Sequence, residues 1–200
     1  LKWKHLLSFT DFFEWFTMLT GGFAEPYTFG RRLYHYFKEH KPDYDILHDN
    51  QSLCYWTLKL QQEGQALLTT IHHPVTSDLK IALGNADTWG MRLLIKRWHS
   101  FLKMQKRVVI KLENIVTVSE VSRIDIAEAF SIPSSALTVV HNGIDTTVFK
   151  PQPEIVRIKH SLMATASADQ PLKGLRYLLI AVAQLVPIYP DIHLTILGKI

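Results

Sequence analysis

Cysteine is almost absent from this 200-residue chain, which contains only Cys54. A disulfide within the chain and a metal site built from cysteines are therefore excluded. A single cysteine fits a reducing compartment, so we expect a cytoplasmic protein. Glycine and proline, nine of each, are too few for a collagen-like or low-complexity chain. No run of about 18 uncharged apolar residues occurs and no signal peptide is recognisable, so the sequence predicts no transmembrane helix.

Charge is also sparse, at 20% of residues, whereas hydrophobic residues make up 47%. This balance excludes a disordered chain and provides enough apolar material for a folded core. The 22 Lys and Arg against 18 Asp and Glu give a formal net charge of +4. Such a small excess does not indicate a nucleic-acid partner, and none is expected.

The hydrophobic pattern alternates between short apolar runs and amphipathic segments. Such alternation predicts an α/β fold with parallel sheets. Asn, Gly, Thr and Pro accumulate at 142–153 and predict a linker between domains at 1–141 and 154–200. The predicted strands are 44–48, 66–71, 115–118, 137–140, 162–165 and 193–197. The predicted helices are 26–40, 91–111, a segment capped by Ser119 or Ser122 that ends near Phe130, 154–160 and 172–186.

Two segments carry unusual side chains for their position. Residues 1–25 are rich in Phe and Trp, and are interpreted either as a core-facing helix with a Gly21-Gly22 turn or as an apolar wall near a lipid or acceptor site. Residues 89–111 contain seven Lys and Arg and no acid. The predicted helix 91–111 is therefore either a solvated face or a surface that contacts an anionic membrane or a phosphorylated ligand.

Polar clusters follow the predicted strands. In an open parallel sheet, ligands bind beyond the carboxyl ends of the strands, so these clusters predict one shared cleft in which histidines hydrogen-bond to sugar hydroxyls or stabilise developing charge. Zinc is the rival hypothesis for His48, Asp49, His72 and His73. It is disfavoured because adjacent strand residues point to opposite faces, and no metal is expected. The clusters are His48-Asp49-Asn50, His72-His73, Ser119-Glu120 and His141-Asn142-Gly143.

A third type of site is predicted where the loop 167–174 enters the helix at 172–186. Backbone N–H groups at a helix N-terminus favour an anion such as phosphate, and Lys173 adds a full positive charge. A surface lysine beside Gly174 is the alternative interpretation.

Taken together, these segments resemble the family 4 glycosyltransferases, which have the GT-B architecture of two Rossmann-like domains. The resemblance covers most of the chain from about residue 26 onward. Four stretches carry it in the family's order: Thr70-Ile71-His72-His73-Pro74, the Val118-Ser119-Glu120 helix start with Ser122-Arg123, the Asn142-Gly143-Ile144-Asp145 linker with Phe149 and Pro151, and the Lys173-Gly174 segment with Leu178-Leu179 and Ala181.

The resemblance implies an enzyme that moves a sugar, expected to be a hexose, from a nucleotide-sugar donor to an acceptor hydroxyl with retention at the anomeric carbon and without a metal cofactor. The acceptor is expected to be a carbohydrate, a lipid or another small molecule. It also implies that His72 contacts the transferred sugar, with His73 as the fallback, and that Lys173 binds the donor diphosphate. The further expected substrate-binding residues are Ser119, Glu120, Asn142, Gly143, Ser167 and Gly174.

The sequence departs from the family pattern in two respects. Ala168, beside Ser167, stands where many members have an arginine. The family's first strands and its Glu-x7-Glu segment are not found, so both domains are expected to be incomplete and the chain to be a fragment. The alternatives are a non-catalytic GT-B-like nucleotide-sugar-binding protein or an inactive gene fragment. Another GT-B-shaped enzyme is disfavoured by the Asn142-Gly143-Ile144-Asp145 linker.

Overall fold

The computed structural model describes residues 7–165 and 174–198. The chain divides into two compact units, Leu1–Asn142 and Gly143–Ile200, here called unit 1 and unit 2. Each contains a parallel sheet, so the predicted α/β class is confirmed.

Unit 1 is built on a four-stranded sheet in the order β1-β2-β3-β4, with every neighbouring pair parallel. Consecutive strands are neighbours, so each connection crosses over one face of the sheet. All four carboxyl ends therefore lie at one edge. The strands are β1 (Leu47–Asn50), β2 (Leu67–Ile71), β3 (Ile115–Thr117) and β4 (Leu137–Val139).

Seven helices belong to the described part of unit 1. Ser8, Thr88 and Ser119 each cap a helix by accepting a hydrogen bond from the backbone N–H three residues on, which satisfies a donor that the helix leaves unpaired. The helices are α1 (Phe9–Leu19), α2 (Glu25–His40), α3 (Tyr55–Gln62), α4 (Val75–Gly84), α5 (Trp89–Trp98), α6 (Leu102–Val109) and α7 (Glu120–Phe130).

The core of unit 1 lies between the sheet and its helices. Its main cluster joins strand residues to α6 and α7: Leu53, Ile71, Val109, Ile115, Ile126, Phe130 and Leu137. Helix α2 also approaches the start of α3 closely. Gly30 lies against the buried side chain of Cys54, and a Cβ at Gly30 would collide with the sulfur.

Unit 2 contains β5 (Ser161–Thr165) and β6 (His193–Leu197), which pair in parallel, and α8 (Leu175–Leu185). None of its described residues is buried. None of the helices in the described ranges is long and apolar enough to cross a bilayer.

Several predicted elements are wrong in extent. The first strand is 47–50 rather than 44–48, and the single helix predicted at 91–111 is interrupted by a 3-10 turn at His99–Phe101. The helix predicted at 154–160 does not form. Pro151 and Pro153 restrict the backbone before it, and the β-branched residues within it favour helix weakly. Helices α3 and α4 were not predicted.

Candidate functional site

The carboxyl edge of the four-stranded sheet brings together polar residues from successive strand ends. Asn50 ends β1, His72 follows β2, Ser119 follows β3 by two residues, and His141 follows β4 by two residues. Because the strands are parallel and paired side by side, these residues lie along one edge of the sheet.

Asn50 and Gln51 hold His72 from two sides. The Nε2 atom of His72 lies 2.8 Å from Oδ1 of Asn50. The side-chain amide of Gln51 binds the backbone that follows β2 at two points. Its Oε1 accepts from the backbone N–H of His72 at 2.7 Å, and its Nε2 donates to the carbonyl of His73 at 2.9 Å. Both the ring and the backbone of His72 are thereby fixed relative to β1.

The loop that presents Gln51 has a strained backbone. Gln51 and Leu53 have φ values of 64° and 50°, in the left-handed region that non-glycine residues seldom adopt. The buried carboxylate of Asp49 compensates by accepting from the N–H groups of Ser52 (3.0 Å) and Leu53 (3.2 Å). Full burial of Leu53 in the main core anchors the loop further.

The two adjacent histidines contact different partners. His72 is half-buried and meets Asn50, whereas His73 is exposed and places its Nε2 atom 3.2 Å from Oδ2 of Asp78 on α4. The two imidazoles therefore do not converge on one point.

His48 ends the predicted strand 44–48, whereas in the structure it lies within β1, which continues to Asn50. Its Nε2 atom is 2.7 Å from the hydroxyl of Thr70, so it links β1 to β2. Asp49 points into the core. Within residues 7–165 and 174–198, no three His, Cys, Asp or Glu side chains are grouped closely enough to hold a metal ion.

Ser119 and Glu120 begin α7. The Ser119 hydroxyl accepts from the N–H of Ser122 at 3.1 Å, which settles the open choice between Ser119 and Ser122 as the cap. Glu120 forms an exposed ion pair with Arg123 at 2.6 Å. At the end of β4, Nδ1 of His141 lies 3.3 Å from the carbonyl of Val118.

A cavity of about 490 Å³ lies beside Asn50 and Gln51. This volume is in the range of small-molecule sites. Sequence reasoning missed Gln51, whose only signal was its place after the polar end of β1. Phe23 lies in the segment 1–25 that the sequence offered as an apolar wall near an acceptor site. The lining of the cavity includes Phe23, Glu25, Pro26, Phe29, His48 and Asn50.

In unit 2, the linker motif forms a local turn. The carboxylate of Asp145 accepts from the hydroxyl (2.6 Å) and the N–H (2.9 Å) of Thr147, and these hydrogen bonds lower the pKa of Asp145 below its ordinary value. Asn142 at the end of unit 1 and Gly143 at the start of unit 2 are exposed.

The predicted anion site is only partly described. Gly174 is the N-cap of α8 with φ 67°, and no side chain caps this helix. Ser167 and Lys173 lie outside the described residues.

Comparison with known proteins gives two matches. The family model described as Glycosyltransferase Family 4 matches residues 7–148. A curated relative named MMP alpha-(1->4)-mannosyltransferase, from Mycolicibacterium hassiacum, is 38% identical over 190 residues. That alignment covers 95% of this chain and 45% of the relative, so the chain spans less than half the length of the protein it matches.

Proposed function

This chain belongs to glycosyltransferase family 4, and on that premise we propose that the protein transfers a sugar from a nucleotide-sugar donor to an acceptor hydroxyl with retention at the anomeric carbon. The observation that carries the proposal is the half-buried imidazole of His72, held at the sheet edge by Asn50, which also lines a cavity of about 490 Å³.

His72 is proposed to contact the transferred sugar. An amide oxygen only accepts, so Nε2 of His72 carries the hydrogen toward Asn50 and the neutral ring leaves Nδ1 as an acceptor. A sugar hydroxyl is a donor suited to that lone pair. A hydrogen bond that tightens as charge develops would lower the barrier to transfer.

Asn50 and Gln51 are proposed as positioning residues for His72. Asn50 sets the tautomer of the ring, and Gln51 fixes the backbone that carries it. Holding a reacting group in one orientation reduces the entropy lost on reaching the transition state.

The acceptor is assigned to the cavity beside Asn50. Its Phe23, Pro26 and Phe29 offer an apolar wall, and Glu25, His48 and Asn50 offer polar atoms at the same opening. A sugar has apolar C–H faces and a hydroxyl rim, so this combination suits a carbohydrate or glycolipid acceptor. Because of the family resemblance, we keep four further residues as proposed substrate-binding residues: Ser119, Glu120, Asn142 and Gly143.

The donor is proposed to bind through Lys173, Gly174 and Ser167. A left-handed glycine at the N-cap leaves the first N–H groups of α8 without a side-chain acceptor, which suits a diphosphate. The name of the Mycolicibacterium relative supports mannose as the transferred sugar. A nucleotide-sugar donor and the single free cysteine, Cys54, together support a cytoplasmic location.

The test compares His72→Ala with His73→Ala in the complete protein, assayed with a panel of nucleoside diphosphate sugars that includes mannose donors. We expect kcat to fall about tenfold or more for His72→Ala, as for removal of a transition-state hydrogen bond, and to change little for the His73→Ala control. The opposite pattern would assign the role to His73. Transfer should persist in EDTA, because the family resemblance implies no metal cofactor.

Lys173→Ala should lower kcat/KM. The expected decrease corresponds to a rise of about 1–3 kcal/mol in the activation free energy, the range for a charged hydrogen bond. An unchanged kcat/KM would remove Lys173 from the donor site. Donor binding by the complete protein without any transfer would instead support a nucleotide-sugar-binding protein.

A spectroscopic readout separates positioning from folding. Asn50→Ala should shift the ring nitrogen resonances of His72 toward a tautomer mixture in NMR spectra, while leaving those of His73 unchanged. Identical His72 resonances in wild type and variant would rule out the positioning role of Asn50.

A further inference from the structure

Helix α1 exposes the side chains that a globular helix normally buries. Its buried residues are Thr10 and Thr17. A stripe along its opposite side is 38–67% exposed, although an amphipathic helix in a soluble domain turns such a stripe toward the core. The stripe, called the α1 stripe below, consists of Phe9, Phe12, Trp15, Phe16 and Leu19, spaced three and four residues apart.

The two acids of α1 are both paired with a single cation. Arg32 on α2 forms ion pairs of 2.6 Å with both Asp11 and Glu14. The α1 stripe is therefore accompanied by no unpaired carboxylate of its own helix, and the two acids with one arginine leave a net charge of −1 there.

Helix α5 exposes a second apolar patch next to α1. None of its residues is buried. Helix α5 contacts the segment that follows α1, where Arg97 donates to the hydroxyl of Thr20 at 2.8 Å and where the rings of Phe23 and Trp98 stack at 5.0 Å. The exposed α5 patch consists of Met91, Leu94 and Trp98, and Trp89 and Leu93 are exposed on another side of the helix.

Unpaired cations lie on α5 and on α6, which follows it in the chain. Within the described ranges, the exposed Lys96, Lys103, Lys106 and Lys111 form no ion pair, and residues 89–111 contain no acid. Helix α6 buries its apolar side in the core and leaves its lysines outside. Exposed apolar side chains and unpaired cations therefore occur together in the segment 89–111.

We propose that α1 and α5 dock unit 1 on an anionic lipid bilayer, with the α1 stripe entering the acyl boundary and the lysines contacting lipid phosphates. Aromatic residues favour the membrane–water interface, and each cation near an anionic surface adds to the attraction. Lysine is depleted at protein–protein interfaces, so this composition favours lipid over a protein partner.

The test is flotation of the complete protein with phosphatidylcholine vesicles that either contain or lack phosphatidylglycerol. We expect binding only with phosphatidylglycerol, weakening as salt screens the lysines. Phe12→Ser with Phe16→Ser, and separately Lys96→Gln with Lys103→Gln, should each weaken binding by about tenfold or more. All four side chains are exposed, so circular dichroism should show an unchanged fold.

Matched controls lie on other helices of the same unit. Val121→Ser with Ile124→Ser on α7 and Lys80→Gln on α4 change equally exposed side chains and should leave vesicle binding unchanged. No binding to either vesicle, equal binding to neutral vesicles, or unaltered binding by the α1 variant would overturn the proposal. Self-association of the chain without lipid that the α1 variant abolishes would assign the face to a second protein instead. No sugar substrate is present, so the outcome is independent of glycosyl transfer.

Discussion

Units 1 and 2 both contain a helix between two parallel strands, yet only one of these helices buries side chains. Helix α7, between β3 and β4, buries Ile126 and Phe130. Helix α8, between β5 and β6, buries none, although its sequence is the more apolar of the two.

The difference shows that local pattern produces a strand–helix–strand element without producing a core. In unit 1, residues of β2, β3, β4 and α6 form one buried cluster with Ile126 and Phe130 of α7, and Ile126 is fully buried. In the described part of unit 2, two strands and one helix leave α8 open, with Ile180 47% exposed. Burial needs several layers at once, which small elements do not supply.

The largest expected effect comes from the same substitution in the two helices. Ile126→Ala should destabilise the chain by about 2–5 kcal/mol, because it leaves a cavity in a filled core. Ile180→Ala should cost less than about 1 kcal/mol, as an exposed site does. Urea unfolding followed by circular dichroism measures both. Equal losses would show that unit 2 buries α8 as fully as unit 1 buries α7.

Substitution of one glycine in each unit compares the two units again, with an expected loss of stability of intermediate size. Gly30→Ala should cost about 1–3 kcal/mol, since a Cβ collides with the buried Cys54. Gly174→Ala should cost about 1 kcal/mol from its φ of 67° alone, because no atom of the described residues lies within 4 Å of a Cβ there. Gly84→Ala on α4, with open space and no positive φ, is the control and should be neutral or stabilising. Thermal melts compare the three, and a neutral Gly30→Ala would disprove the tight α2–α3 contact.

The smallest effects concern two carboxylates whose pKa values are both lowered, for different reasons. The pKa of Glu63 in unit 1 is lowered by hydrogen bonds from Lys38 and Tyr34, and that of Asp145 in unit 2 by hydrogen bonds from Thr147. With a folded pKa below the unfolded one, each contributes stability that is present above its unfolded pKa and is lost as pH falls through the folded pKa.

NMR titration of the two carboxyl groups separates the causes. Salt should raise the pKa of Glu63 toward its ordinary value by screening Lys38, and Lys38→Gln should do the same. The pKa of Asp145 should respond to Thr147→Val and little to salt. A salt-insensitive Glu63 would mean that the ion pair with Lys38 does not hold in solution.

The predictable part of the fold is the part with local signals. Strands β2, β3 and β4 and helices α2 and α7 were predicted to within a residue or two, because apolar runs and caps mark them. Helices α3 and α4 were missed because their N-cap residues are Cys54 and Pro74, which are not the usual capping residues.

The candidate site divides in the same way. The sequence predicted that polar residues would meet at one edge, and it singled out His72 and His73 as a pair. It did not predict that His73 would contact Asp78 rather than the partner of His72, because that contact depends on where α4 lies. Gln51 was missed because its role requires a left-handed backbone and a partner 21 residues further along the chain.

By itself the sequence determined the parallel α/β class, the order of most strands and helices, and the polar residues at the strand ends, because these depend on periodicity and on neighbours in the chain. Tertiary structure decided which helix faces are covered, which histidine meets Asn50, and that α1 turns its aromatic stripe outward. Those outcomes depend on contacts between distant segments, and an apolar residue carries no local signal of which surface, if any, will cover it.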